Sequence, residues 1–403
     1  MNWRQTFAAL KYRNYRLWFI GQLTSLFGTW MQATALGYLV FELTHSSEYL
    51  GYVAFTSGLP SWLFMLYAGV IADRLPRRLL LLITQSVMMV LALVLSVLTF
   101  ADWIHPWHIL VLAFGGGVAN AFDAPARQSF VLEMVTREDL TNAIALNSSM
   151  FNAALALGPA LGGVTYSLFG PGWCFVLNAL SFVAVIVALL LMDIPTQPPP
   201  QNRRSAISEL HDGLRHALGQ PIIRTLIGLV ALTSLFGVSY MTLIPAWSVN
   251  ILGGDATTNG LLNSARGIGA LLGALLIASL GRFHFRGKLL MIGMISFPIT
   301  LVIFSFVRWE AFALLVMVFS GISLILIFNL ANSLVQLQAA DEMRGRVMGV
   351  YSLTFFGFLP VGGLLMGAVA ERIGEPDTLL AGSLVLLALT LLIIWSQPRL
   401  RSL

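Results

Sequence analysis

Long apolar stretches alternate with short polar ones along the whole chain. Twelve apolar runs stand out, at 17–41, 49–72, 79–100, 106–122, 141–168, 172–192, 222–250, 257–281, 288–307, 311–335, 345–370 and 378–396. A helix needs about 20 mostly apolar residues to cross the hydrocarbon core of a bilayer. Backbone N–H and C=O groups must be satisfied within the segment there, so helices are the form such runs take. The pattern predicts an all-α integral membrane protein with twelve transmembrane helices and no room for a separate soluble domain. Pro60, Pro159, Pro245, Pro298 and Pro360 fall inside the runs. In a membrane bundle, neighbouring helices can satisfy a carbonyl that a proline frees, and glycines allow close helix contact.

The pattern also repeats. The pentapeptide TSLFG occurs at Thr24–Gly28 and again at Thr233–Gly237. At the same offset Leu50-Gly51-Tyr52 falls on Asn259-Gly260-Leu261, each opening the next run. "ARQSFVLEMVTREDLTNA" resembles "LANSLVQLQAADEMRGRV", and "GPALGG" at 158–163 falls near "LPVGG" at 359–363. The common order predicts two pseudo-symmetric six-helix bundles, residues 1–192 and 221–403. They are joined by a cytoplasmic linker, 193–220, whose proline run cannot be helical. Ile207, Leu210, Leu214 and Leu218 in that linker follow helical spacing and predict a short amphipathic helix, either lying on the membrane surface or turned entirely to solvent.

Composition agrees with a lipid environment. Hydrophobic residues make up 57% of the chain and charged residues 10%, where a soluble domain carries about 25% charged. The net charge of +5 invites a nucleic-acid partner, but the basic residues are distributed by topology. Among the 23, only Arg308, Arg372 and Arg266 fall outside the termini and the even-numbered connections. Basic residues in short loops mark the cytoplasmic side, which predicts cytoplasmic termini in a cytoplasmic (inner) membrane and no nucleic-acid partner. The start, "MNWRQTFAALKYRNYRLWF", has no cleavable signal-peptide pattern. The single cysteine, Cys174, excludes a disulfide framework, and the six histidines show no metal-ligand spacing. "GRFHFRGKLL" fails as a phosphate loop, with five residues between its glycines and Leu289 after the lysine. No cofactor, metal or enzyme activity is expected; a carrier remains.

The connection after the second run reads "GVIADRLPRR", Gly69 to Arg78, and the fifth run carries "GPALGG". The first resembles the loop signature of the major facilitator superfamily, and the second its antiporter signature. "AFDAPARQSF" and the opening "YRNYRLWFIGQLTSLFGTWMQ" are similar to the branch holding the enterobactin exporter and macrolide efflux proteins. The resemblance covers the whole chain. It implies a gating latch made by Gly69, Asp73, Arg74, Arg77, Arg78 and Asp123, with Arg77 or Arg78 paired to Asp123 and Asp73 set against the start of the eleventh helix. It also implies an exporter motif at Gly158, Pro159, Gly162 and Gly163. The chain departs from the pattern in three places. Pro76 stands in the signature loop, the second copy "SLGRFHFRGK" lacks the acid, and the fourth run lacks an intramembrane Arg.

The resemblance further implies that the first, fourth, seventh and tenth helices line a central cavity. Substrate-binding candidates are Gln32 and Trp30 on the first, Tyr240 on the seventh and Asn329 on the tenth. Arg266 lies inside the eighth run, where a charge costs roughly 2.5–3.5 kcal/mol on insertion scales. Three placements offset that cost: a pair with Glu42 or Glu310, a position facing the cavity and an anionic substrate, or a side chain reaching the interface. Asp123 is the candidate for proton coupling. The expected function is export of a small amphipathic, drug-like compound by proton antiport through alternating access. Alternatives are a siderophore exporter, a lysolipid or lipid flippase, and a non-transporting receptor. Expected partners are the small-molecule substrate, protons and membrane lipids. The pattern is compatible with a monomer and leaves the oligomeric state open.

Overall fold

The computed structural model describes residues 7–194, 206–281 and 285–397. It is all helical, with no strand among the described residues. After a short turn at Ala8–Lys11 come α1 (Arg13–Thr44), α2 (Ser47–Arg74), α3 (Arg77–Phe100), α4 (Pro106–Phe130), α5 (Leu140–Phe169) and α6 (Pro171–Leu191). A linker helix, α7 (Ala206–Gly219), precedes α8 (Pro221–Ile251), α9 (Ala256–Ser279), α10 (Arg286–Phe306), α11 (Glu310–Gln338), α12 (Arg344–Ile373) and α13 (Glu375–Ser396).

Ten of these helices are long and apolar enough to cross a membrane: α3 to α6 and α8 to α13. The sequence predicts twelve. The two outside the ten are α1 and α2, both of ample length. Helix α1 spreads Gln22, Thr24, Ser25, Thr29, Gln32 and Thr34 along its course, which lowers its hydropathy. A helix that packs on its neighbours and borders a cavity can carry such residues. Several residues toward the C-terminal end of α2 lie outside the described side chains.

The packing follows a recurrent scheme. Helix α1 packs on α5 and α6, α2 on α4, and α3 on α4 and α6. In the second half α8 packs on α12 and α13, α9 on α11, and α10 on α11 and α13. Between the halves, α2 lies along α12 and α5 along α9. Advancing every label by seven maps the first set of pairs onto the second and exchanges the two cross-pairs.

The contacts between halves crowd toward one end. Ser46 Oγ and the Glu48 backbone N–H donate to Glu371 at 2.9 and 3.2 Å, and Ser47 Oγ donates to Glu375 at 2.9 Å. On the other side, Ser167 Oγ donates to Asp255 at 3.2 Å, and Thr257 Oγ1 to Ser167 at 2.9 Å. Ser264 Oγ accepts from the Ala160 N–H at 2.8 Å. These contacts belong to the ends of α2, α5, α9 and α12 that lie away from the basic connections. At the opposite end, α7 lies against the start of α12 through an Asp212–Arg346 ion pair at 3.2 Å, while Leu214 and Leu218 are exposed.

Candidate binding cavity

The glycines of α5 set how closely its neighbours approach. A Cβ on Gly158 would stand 2.7 Å from Trp30 Cβ, and one on Gly162 would stand 2.7 Å from the Met31 carbonyl oxygen, both on α1. A Cβ on Gly163 would meet Thr257 Cα of α9 at 3.0 Å. Pro159 turns its carbonyl toward Gly260 of α9. The four residues therefore form one junction, with Gly158 and Gly162 against the first half and Pro159 and Gly163 against the second. The counterpart lies in α12, where a Cβ on Gly362 would meet Ser239 of α8 at 2.8 Å and one on Gly363 would meet Ala54 of α2 at 2.9 Å.

Between these junctions lies a cavity of about 580 Å³. Helices α1 to α6 contribute to its wall, together with Met241, Thr242 and Pro245 of α8 and Asn259, Asn263 and Arg266 of α9. Most of its lining is apolar, with Met88, Leu91, Leu95, Leu112 and Phe182 prominent. Its amides are organised. Asn178 donates to Gln32 Oε1 at 2.7 Å, bridging α6 to α1. Asn259 donates to the Thr34 carbonyl at 3.3 Å, joining the two halves at the wall. Trp30 borders the cavity and meets Phe151 edge-on at 5.8 Å.

The structure brings Gln32, Trp30 and Arg266 to this wall but not Tyr240 or Asn329. Tyr240 is buried behind it, its hydroxyl 3.1 Å from Ser320 Oγ and 3.5 Å from Met317 Sδ of α11. Asn329 is exposed on α11. Among the residues described as lining this cavity none comes from the tenth helix, α11, which packs against α9 and α10. Asn178, Asn259 and Asn263 were missed by sequence reasoning. The signal was present for two of them, since Asn259, Asn263 and Arg266 follow the i, i+4, i+7 spacing of one helix face.

Arg266 is 7% exposed. The expected pairing with Glu42 or Glu310 does not occur. Glu42 accepts the Tyr166 hydroxyl, and Glu310 accepts Thr258 Oγ1 at 3.3 Å. No hydrogen bond or ion pair reaches the Arg266 side chain from the described residues, and its Nε is buried without a partner.

Asp123, near the C-terminal end of α4, is 1% exposed. One carboxylate oxygen accepts from Thr84 Oγ1 at 2.9 Å and Gln85 Nε2 at 2.8 Å, both of α3. The other lies 3.2 Å from Arg127, one helical turn on. The expected pairing with Arg77 or Arg78 is not made in this structure. Arg77 pairs with Glu133, and Arg78 donates to the Leu190 carbonyl at 3.0 Å. Arg127 reaches Asp123 first because an i, i+4 pair on one helix needs no rearrangement of the loop. Gly69, Asp73 and Arg74 lie outside the residues whose side chains the structure describes.

The model of the transmembrane secretion effector family matches residues 4–402. The chain belongs to this family of transporters, within the major facilitator superfamily, and is not an enzyme. It is 26% identical to the staphyloferrin A transporter of Staphylococcus aureus, over 86% of this chain and 87% of that one. It is 27% identical to the multidrug efflux pump Tap of Mycolicibacterium fortuitum, over 94% and 95%. An enterobactin exporter of Salmonella typhimurium is 24% identical over 96% and 93%. Among solved structures, a bacterial homologue of the human lysosomal transporter Spinster, inward-facing and unoccupied, superposes with a TM-score of 0.73. It is 14% identical and the match covers 97% of this chain and 98% of that one; the likeness is one of fold.

Proposed function

We propose that the chain exports a small, partly apolar molecule across the cytoplasmic membrane by alternating access, in exchange for protons. One observation carries this reading: a single cavity is walled by helices of both halves, whose mutual contacts crowd at one end. With the basic connections on the cytoplasmic side, that closed end faces outward and the cavity belongs to an inward-facing state. The recurrent pairing of helices supports two six-helix bundles, 1–192 and 221–403, related by an axis along the membrane normal. Rocking about α2–α12 and α5–α9 would open one end as it closes the other.

The apolar, Met-containing wall suits a partly apolar solute. Direction rests on the resemblance of the Gly158–Gly163 junction to the antiporter signature and on the relatives named for efflux and export. Asp123 is the proton carrier in this reading, because it is buried, hydrogen-bonded and paired with the partly exposed cation of Arg127. Gly69, Asp73, Arg74, Arg77 and Arg78 form the inner latch, which holds the opposite state. Purified protein in liposomes with an imposed pH gradient tests the function against a panel of neutral, cationic and anionic compounds. Gradient-dependent movement of at least one partly apolar compound is expected. Flux indifferent to the gradient would contradict proton exchange, and no flux of any compound would contradict transport.

A further inference from the structure

We infer that Arg266, with Asn263 and Asn259 beside it, is an anion-binding element of the cavity, and that the transported molecule carries a carboxylate. The inference rests on reading the cavity as the substrate site, and it names the chemistry of what enters.

The three residues share one face of α9 and all border the cavity. Arg266 has no anionic partner among the described residues, and the acids near it in the sequence or at the closed end are engaged elsewhere. Glu42 holds Tyr166, Glu310 holds Thr258, Glu375 holds Ser47 and Asn250, and Asp255 caps α9 through the Thr257 and Thr258 N–H groups. Snorkelling does not account for it. Arg266 is ten residues from the start of α9 and thirteen from its end, about 15 and 20 Å at 1.5 Å per residue, beyond the reach of an arginine side chain. A packing role does not require the charge either. At this position α9 meets α11 through the Arg266 backbone and Gly321, a contact any residue would make.

A guanidinium always carries its charge and presents a planar fork of donors matched to a carboxylate. Asn263 donates to the Asn259 carbonyl at 3.0 Å, which leaves its own amide oxygen to accept from a donor on the ligand. On the same cavity wall, Gln32 of α1 receives Asn178 on its oxygen and keeps its amide N–H groups for a ligand oxygen. Met88, Leu91 and Met241 add apolar surface to the same cavity. The arrangement fits an acid with an apolar body.

Binding of 2-naphthoate and of its neutral isostere 2-naphthamide to the full chain in lipid nanodiscs tests this, using wild type, R266Q, R266K and N263A. Wild type should bind the acid at least about tenfold more tightly than the amide, the size of one charge-assisted hydrogen bond. R266Q should lose that preference by weakening the acid far more than the amide, R266K should keep part of it, and N263A should weaken both probes. R266Q should also unfold at the same or a higher temperature than wild type, since a buried unpaired charge is removed. Equal affinity for the two probes in wild type, no binding of either, or a preference that survives R266Q would overturn the inference. A large drop in unfolding temperature for R266Q would make Arg266 structural and overturn it too. Binding is read without flux. A failed liposome assay with an intact naphthoate preference would therefore sink transport and leave the site, and the reverse outcome would do the opposite.

Discussion

Asp123, Arg266 and Glu375 are buried charged side chains in three different situations. Asp123 accepts from Thr84 and Gln85 on one oxygen and lies beside Arg127 with the other, Glu375 is held by two neutral donors, Ser47 and Asn250, and Arg266 has no hydrogen-bond or ion-pair partner among the described residues. A carboxylate with one nearby cation can give up its charge when that cation moves, which is what a proton carrier needs. D123N should therefore insert and fold but lose at least about tenfold of gradient-driven flux, while substrate exchange without a gradient persists; equal loss of both would assign Asp123 to binding or stability instead. That Arg266 and Asp123 needed explaining was legible because a charge in or beside an apolar run must be accounted for, and both are buried. Tyr240 was not legible. Tyr240 and Met241 both lie in a 3₁₀ stretch, where successive positions differ by about 120°, so Met241 reaches the cavity while Tyr240 turns into the packing. In a helix apolar on all sides, nothing in the letters tells these positions apart.

Among the helices, α5 and α8 show how far the repeat can be read. In α5 the motif Gly158–Gly163 joins α1 and α9, and the sequence marks it by its glycines. Gly163→Val would push branched carbons into α9, where even a Cβ meets Thr257 Cα at 3.0 Å. Overpacking of this kind typically costs 1–3 kcal/mol, so the variant should unfold at a lower temperature and lose most of its flux, both measurable in nanodiscs and liposomes. The second TSLFG belies its letters. At Thr24–Gly28 it continues a regular α-helix, whereas at Thr233–Gly237 it forms a π turn, followed by a 3₁₀ stretch and a second π turn at Trp247–Ile251. Such irregular turns often mark functional sites. Tertiary packing, with Gly237 pressed toward Phe297 and Leu386, decides that backbone, so an identical pentapeptide cannot reveal it. At the closed end, Ser47→Ala combined with Asn250→Ala would leave Glu375 without its two donors. The variant should raise labelling of introduced outer-half cysteines by membrane-impermeant reagents at least about threefold, since lost hydrogen bonds of about 0.5–1.5 kcal/mol each favour opening. Unchanged labelling would show that Glu375 does not hold this end shut.

For the molecule as a whole, the duplicated order of motifs already implied two bundles, and the helix pairing repeats in the same order. Gly51 and Gly260, aligned in the sequence, sit against Gly363 and Gly163, also aligned there. Which conformation the chain adopts was not legible, because two states of one carrier share every residue and differ only in which ends touch. Rocking of the bundles is tested most directly by two inter-bundle distances followed by pulsed electron resonance. The background is Cys174→Ala, with spin labels at His45 and Arg372 for the outer ends and at Leu75 and Gly345 for the inner ends. On adding a transported compound under a pH gradient, the outer pair should lengthen as the inner pair shortens. Distances that stay fixed, or that lengthen together, would contradict alternating access.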